Sequence, residues 1–149
     1  LRDDVETIHA ATEVLAEAKL SPELKNEALY YRAKAYKNQK ADKKALDDFR
    51  ELAKDTRNSY GAEAKYQVAQ ALYDAQEYAA AEKELLNYIE QSTPHAYWLA
   101  RSFVLLSDVY VAMGKDLDAR QYLLSLQQNY QGNDDIESMI EDRLKKLNK

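Results

Sequence analysis

Apolar residues recur along this chain at intervals of three and four, and no run alternates apolar with polar. Val5, Ile8, Val14 and Leu15, with several Ala, mark a first segment from Asp3 to Leu20, and such a stripe predicts helix. Ser21-Pro22 suits an N-cap followed by Pro at the first helical position, so a second helix runs from there through Leu29, Ala33 and Tyr36 towards Lys40. A third covers Lys43 to Lys54, with Leu46, Phe49 and Leu52 on one face. Asn58-Ser59-Tyr60-Gly61 reads as a turn, and helices follow at Ala62–Ala75 and Tyr78–Gln91. Thr93-Pro94 repeats the cap-plus-Pro signal and opens a helix through Trp98, Phe103, Leu106 and Tyr110, which Gly114 breaks. Leu117 to Asn129 is its partner. Asp134 to Glu137 reads as a capping box for a last helix striped by Ile136, Met139, Ile140, Leu144 and Leu147. The pattern therefore predicts eight helices, no strand and no linker, joined by connections short enough to make successive helices antiparallel neighbours.

A second pattern lies above the helical one. Ala33, Ala69 and Ser107 are spaced 36 and 38 residues apart, and each is followed 12 residues later by an alanine: Ala45, Ala81 and Ala119. Two helices that cross closely need small side chains where they touch and large ones beside that point. A fixed small-to-small spacing at this period marks stacked helical hairpins.

Aligned on these residues, the units read Ala33-x-x-Tyr36 with Ala45 and Phe49; Ala69-x-x-Leu72 with Tyr78, Ala81 and Leu85; and Ser107-x-x-Tyr110 with Gly114, Ala119 and Leu123. This resembles the tetratricopeptide repeat. Arg32 and Lys65 depart from it, standing where that family often has apolar residues, and the spacing exceeds the family's usual value of about 34. Long, Tyr-rich repeats of this kind are similar to those of bacterial envelope proteins, which favours periplasm or envelope over cytoplasm. The resemblance implies an all-α, right-handed superhelix of helix pairs in a single domain, 1–149. Within it, 1–20 would be a half repeat, 22–57, 60–92 and 94–131 three repeats, and 134–149 a capping helix that covers an otherwise exposed apolar end.

The resemblance also implies a site. Such arrays bind extended peptides or helices in a concave groove lined by the first helix of each unit. The matching positions are Glu27, Tyr30, Lys34, Lys37 and Asn38; then Glu63, Tyr66, Gln70, Tyr73 and Asp74; then Arg101, Val104, Asp108, Val111 and Ala112. The binding candidates among them are Tyr30, Lys34, Lys37, Tyr66, Gln70, Tyr73, Asp74, Arg101 and Asp108. Tyr30, Tyr66 and Tyr73 would be the anchors, since Tyr joins a rigid apolar body to a hydroxyl. The family's carboxylate clamp is not expected, because of its charged positions only Arg101 matches.

Composition narrows the classes. The chain carries 21 Lys and Arg against 26 Asp and Glu, a net charge of −5, which argues against nucleic acid as the main ligand. It has 12 Tyr but 3 Gly and 2 Pro, few turn residues for a sheet protein. The absence of Cys excludes disulfides, thiolate metal sites and a Cys nucleophile. Only His9 and His95 are present, without metal-ligand spacing, and His95 reads as a first-turn surface residue. The doublets Asp3-Asp4, Asp47-Asp48 and Asp134-Asp135 read as dipole-favoured residues near helix starts. Arg32, Lys34, Lys37, Lys40, Lys43 and Lys44 form a basic run. It could receive an acidic peptide or a phosphate, but reads first as a solvated helix face with Asp42, Asp47 and Asp48 beside it. Leu1 is not Met, so the chain is expected to be a fragment or a processed form. The reading is a non-catalytic scaffold for a protein or peptide, with no cofactor, no metal, no nucleic acid and no membrane span. Self-association through exposed repeat ends is a further expectation. The alternatives are a terminal structural or oligomerisation segment of a longer array, or a regulatory domain attached to an enzyme.

Overall fold

The structure, a computed structural model, describes residues 2–148. Every regular element among them is helical: α1 Arg2–Leu15, α2 Pro22–Asn38, α3 Asp42–Leu52, α4 Ser59–Asp74, α5 Tyr78–Glu90, α6 Ala96–Ala112, α7 Asp116–Asn129 and α8 Ile136–Leu147. The predicted ends at positions 1 and 149 lie outside the described residues. The chain forms two compact units, one up to Val68 and one from Ala69 onward. In the first, α1 packs on α2 and α2 on α3; in the second, α5 packs on α6, α6 on α7, and α8 on both α6 and α7.

The small residues of the repeat pattern are all interior. Ala33, Ala69, Ala81 and Ala119 have no exposed surface, while Ser107 and Ala45 are 1% and 3% exposed. A third repeated feature accompanies them. The connections Gln39-Lys40-Ala41, Ala75-Gln76-Glu77 and Met113-Gly114-Lys115 are three residues each. Their middle residues are left-handed, with φ of 60°, 62° and 75°. In each, the residue after the left-handed one donates its N–H to a carbonyl five residues back: Ala41 to Tyr36 at 2.8 Å, Glu77 to Leu72 at 2.9 Å, Lys115 to Tyr110 at 2.8 Å. The left-handed residue itself donates three back, to Lys37, Tyr73 and Val111. This is the Schellman arrangement, which satisfies the last carbonyls of a helix. It recurs seven residues after each of Ala33, Ala69 and Ser107.

Only Gly114 adopts that φ at no steric cost, and a Cβ built on it would meet nothing within 4 Å. Gly114→Ala should therefore cost about 1 kcal/mol from backbone conformation alone, and Lys40→Gly should gain about 0.5–1 kcal/mol. Urea unfolding of both variants is the check, and equal, same-signed shifts would contradict the assignment.

Several local expectations need correction. α1 ends at Leu15, not Leu20, because Leu20 lies five residues on and off the apolar stripe, and Ser21 before Pro22 is extended. Ser59-Tyr60-Gly61 is the first turn of α4, and only Asn58 stands outside it, accepting the Gly61 N–H at 2.8 Å. Pro94 precedes α6 rather than opening it. His95 is the half-buried N-cap, its side chain making no capping bond to the helix, and the Thr93 hydroxyl accepts the His95 N–H at 3.3 Å. The capping box at α8 does not form; Asp134 accepts the Ile136 N–H at 3.0 Å instead. Asp47-Asp48 lies in the middle of α3. Ser21 does cap α2, accepting the Leu24 N–H at 3.2 Å with Pro22 next to it.

In the second unit, Ile136 and Ile140 of α8 join Ala100, Val104, Leu123 and Leu126 in one core cluster, with Met139, Leu144 and Leu147 against its edge. Tyr88 of α5 is fully buried, and its hydroxyl makes no hydrogen bond among the described residues. Burial pushes its phenol pKa up, and the nearby Thr93 side chain moderates this without reaching bonding geometry. Tyr88→Phe should thus be neutral or stabilising by up to about 1 kcal/mol, whereas Tyr88→Ala should cost about 3–5 kcal/mol. Thermal melts decide; a large loss in the Phe variant would mean that the hydroxyl is bonded.

Candidate functional site

The first unit gathers Tyr30, Lys34 and Lys37 on consecutive turns of α2, opposite the start of α4. The Tyr30 hydroxyl donates to Glu63 Oε1 at 2.8 Å, Lys34 Nζ donates to Glu63 Oε2 at 2.8 Å, and Lys37 Nζ donates to Gln67 Oε1 at 2.8 Å. Gln67 in turn donates to Glu63 at 3.4 Å. Glu63 is buried, Lys34 and Tyr30 are half-buried and Lys37 is exposed. Burial raises the Tyr30 pKa, and the Glu63 carboxylate raises it further. Burial is the largest influence on Lys34 and works against its charge, but the hydrogen bond and charge of Glu63, together with Tyr30, outweigh it, so the ammonium is held above its ordinary pKa. The Lys34 ammonium also lies 5.4 Å from the Tyr30 ring centre, and Tyr60 packs on that ring at 4.8 Å. The result is a rigid, polar face with a tyrosine body and two ammonium groups.

The second unit holds Gln70, Tyr73, Asp74, Arg101 and Asp108 in two sets. Arg143 of α8 grips Asp108 of α6 with two bonds, 2.8 and 3.0 Å. Tyr73 lies near this pair: burial raises its phenol pKa first, and the Asp108 charge adds to it. Gln70 donates to Asp74 at 2.9 Å one turn away, and the Tyr73 and Tyr78 rings lie 5.7 Å apart. At the start of α6, Arg101 donates to the Tyr97 hydroxyl at 2.9 Å, and that hydroxyl donates to Asp135 at 3.0 Å. The Arg101 guanidinium lies 5.9 Å from both the Tyr97 and Trp98 ring centres.

Three groove positions are not open. Glu63 and Tyr66 are each 7% exposed and Val104 is 3% exposed. Val104 belongs to the core cluster of the second unit. Tyr66 ends a run, Gly61 to Tyr66, in which every residue is buried. A helix covered on all sides has no wet face to offer, so Tyr66 packs rather than anchors. Arg143, Tyr97 and Gln67 are site residues that sequence reasoning missed. Arg143 sits on α8, where a polar residue reads as a solvated face, and only its spatial approach to Asp108 reveals it.

The basic run is also reassigned in part. Arg32 is not solvated: it forks onto Asp48 with bonds of 2.8 and 2.7 Å, and Asp48 is 5% exposed. With Lys34 on Glu63, two of the six cations are neutralised within the first unit.

Among the described residues, no group of three or more His, Cys, Asp or Glu side chains could hold a metal ion, and no helix is long and apolar enough to cross a membrane. Compared with protein-family models, with curated proteins and with solved structures, the chain has no match in any of the three.

Proposed function

We propose that this chain is a tetratricopeptide-like repeat segment that acts as a non-catalytic scaffold for a protein or peptide partner. The observation that carries the reading is the threefold joint. A buried small residue, a left-handed residue seven positions on and a buried Ala twelve positions on recur at the same 36- and 38-residue intervals. Three unrelated helix pairs would have no reason to share that register. Each unit carries its own candidate binding face: Tyr30, Lys34 and Lys37 in the first unit, and Tyr73, Arg101 and Asp108 in the second. Their side chains are held by hydrogen bonds and ring contacts while keeping surface exposed, which lowers the entropy lost on binding.

The test is titration of a partner isolated by affinity capture. Tyr73→Ala should weaken binding by about 1–3 kcal/mol, as aromatic anchors do, and Tyr88→Phe should leave affinity unchanged. The reverse outcome, with Tyr88→Phe impaired and Tyr73→Ala normal, would sink the assignment of this face.

A further inference from the structure

We propose that the partner docks an acidic segment on a lysine island at the joint between α2 and α3, formed by Lys37, Lys40, Lys43 and Lys44. This rests on the scaffold reading and adds the chemistry of the partner. All four side chains are exposed, and among the described residues none of them forms an ion pair with a carboxylate. The contrast with their neighbours is the informative point. Arg32 and Lys34 each close on a buried carboxylate, Asp48 and Glu63. Lys37 is instead positioned by the neutral carbonyl oxygen of Gln67, and Lys44 lies 5.7 Å from the Tyr36 ring centre. Both are ordered without being neutralised, so their charge stays available.

The fold itself does not favour lysine at these places. Lys40 occupies the left-handed joint, where the third unit has Gly114. Lys43 and Lys44 sit in the first turn of α3, Asp42–Leu52, where the helix dipole disfavours cations. Asp42 and Asp47 flank the island but pair with none of it. Residues 30–44 hold six Lys and Arg against one Asp, in a chain whose net charge is −5. That limited reach fits a segment with a few carboxylates. A long polyanion would extend past the island onto a surface of its own sign.

The probe is a short fluorescein-labelled peptide of alternating Glu and Tyr, titrated by anisotropy at low and high salt. Vesicles containing phosphatidylserine and an oligothymidylate run as parallel arms. The expected result is salt-sensitive peptide binding that weakens about tenfold in Lys43→Gln/Lys44→Gln, two island residues outside the face assigned above, and is unchanged in Lys145→Gln/Lys146→Gln. Circular dichroism confirms that both variants are folded. Peptide binding that survives in the Lys43→Gln/Lys44→Gln variant but is lost in Tyr73→Ala overturns the island and leaves the scaffold reading standing. Binding that survives in both contradicts the island and the groove face together. No binding of the peptide, or tighter binding of vesicles or oligothymidylate, overturns the island alone.

Discussion

Gly61→Ala lowers the stability of the fold by about 2–4 kcal/mol, although alanine is the better helix former by about 1 kcal/mol. Gly61 lies in the first turn of α4 and is buried. A Cβ there would coincide with the Asp55 carbonyl oxygen, and would lie 2.7 Å from the Asp55 carbonyl carbon and 2.9 Å from the Leu52 carbonyl oxygen. All three are backbone atoms, so no side chain can swing aside. The loop that would have to move is braced. Asn58 donates to the Asp55 carbonyl at 3.1 Å and accepts the Gly61 N–H. The Asp55 carboxylate takes the Arg57 Nε at 2.9 Å and its backbone N–H at 3.0 Å, which holds the Asp55 pKa down at about 2. Gly132→Ala is the contrast, because the atoms nearest its Cβ would be the far end of the Tyr130 side chain, which can swing aside. Urea unfolding should show a much larger loss for Gly61→Ala than for Gly132→Ala. A Gly61→Ala change within about 0.5 kcal/mol of the parent would mean that α3 and α4 approach each other differently.

Asp48→Ala should cost about 2–4 kcal/mol, because it leaves the Arg32 guanidinium partly buried without its counter-charge. Arg32 draws three elements together: it bonds Asp48 of α3 through two nitrogens, Thr12 of α1 at 3.2 Å through the third, and lies 5.8 Å from the Tyr36 ring centre. The Asp48 bond raises the arginine pKa against the effect of burial, so the cation does not escape by losing its proton. The double variant Arg32→Leu/Asp48→Leu should recover most of the loss, since it removes both desolvated charges and fills the space with apolar atoms. Chemical denaturation of the single and double variants separates the cases. A double variant as unstable as Asp48→Ala would show that the pair is not the source of the cost.

The helices were legible because their apolar stripes and Ser21-Pro22 act locally, within a turn or two of chain. The small residues were legible for a related reason: a helix crossing tolerates few side chains, so Ala33, Ala69 and Ser107 announce themselves by size and period. The joints were legible only at Gly114. Lys40 and Gln76 adopt the same left-handed backbone without a glycine to mark it, because the Schellman bonds of the preceding helix hold them there. Arg32 stood out as a departure from an apolar position, yet its partner could not be found: Asp48 is 16 residues away, and carboxylates beside lysines ordinarily face water. Tyr66 misled for a different reason. Assigning it to a groove presumes that the first half of α4 keeps a wet face, and the enclosure of Gly61 to Tyr66 removes it there, while Gln70 and Tyr73 further along stay partly open. Of the named candidates, Tyr30 and Lys34 close on Glu63 and Lys37 on its neighbour Gln67, and Tyr73 and Asp108 come together near Arg143, a residue that nothing local in the sequence singles out.

The central claim is that first helices carry the binding face. Amide chemical shifts of the isotope-labelled chain, recorded while the captured partner is titrated in, test it most directly. The account predicts perturbations at Tyr30, Lys34 and Lys37 of α2 and at Arg101 and Asp108 of α6, with little change at the exposed Asp47 and Arg50 of α3 or Gln121 and Ser125 of α7. Perturbations concentrated on α3 and α7, with α2 and α6 silent, would contradict it.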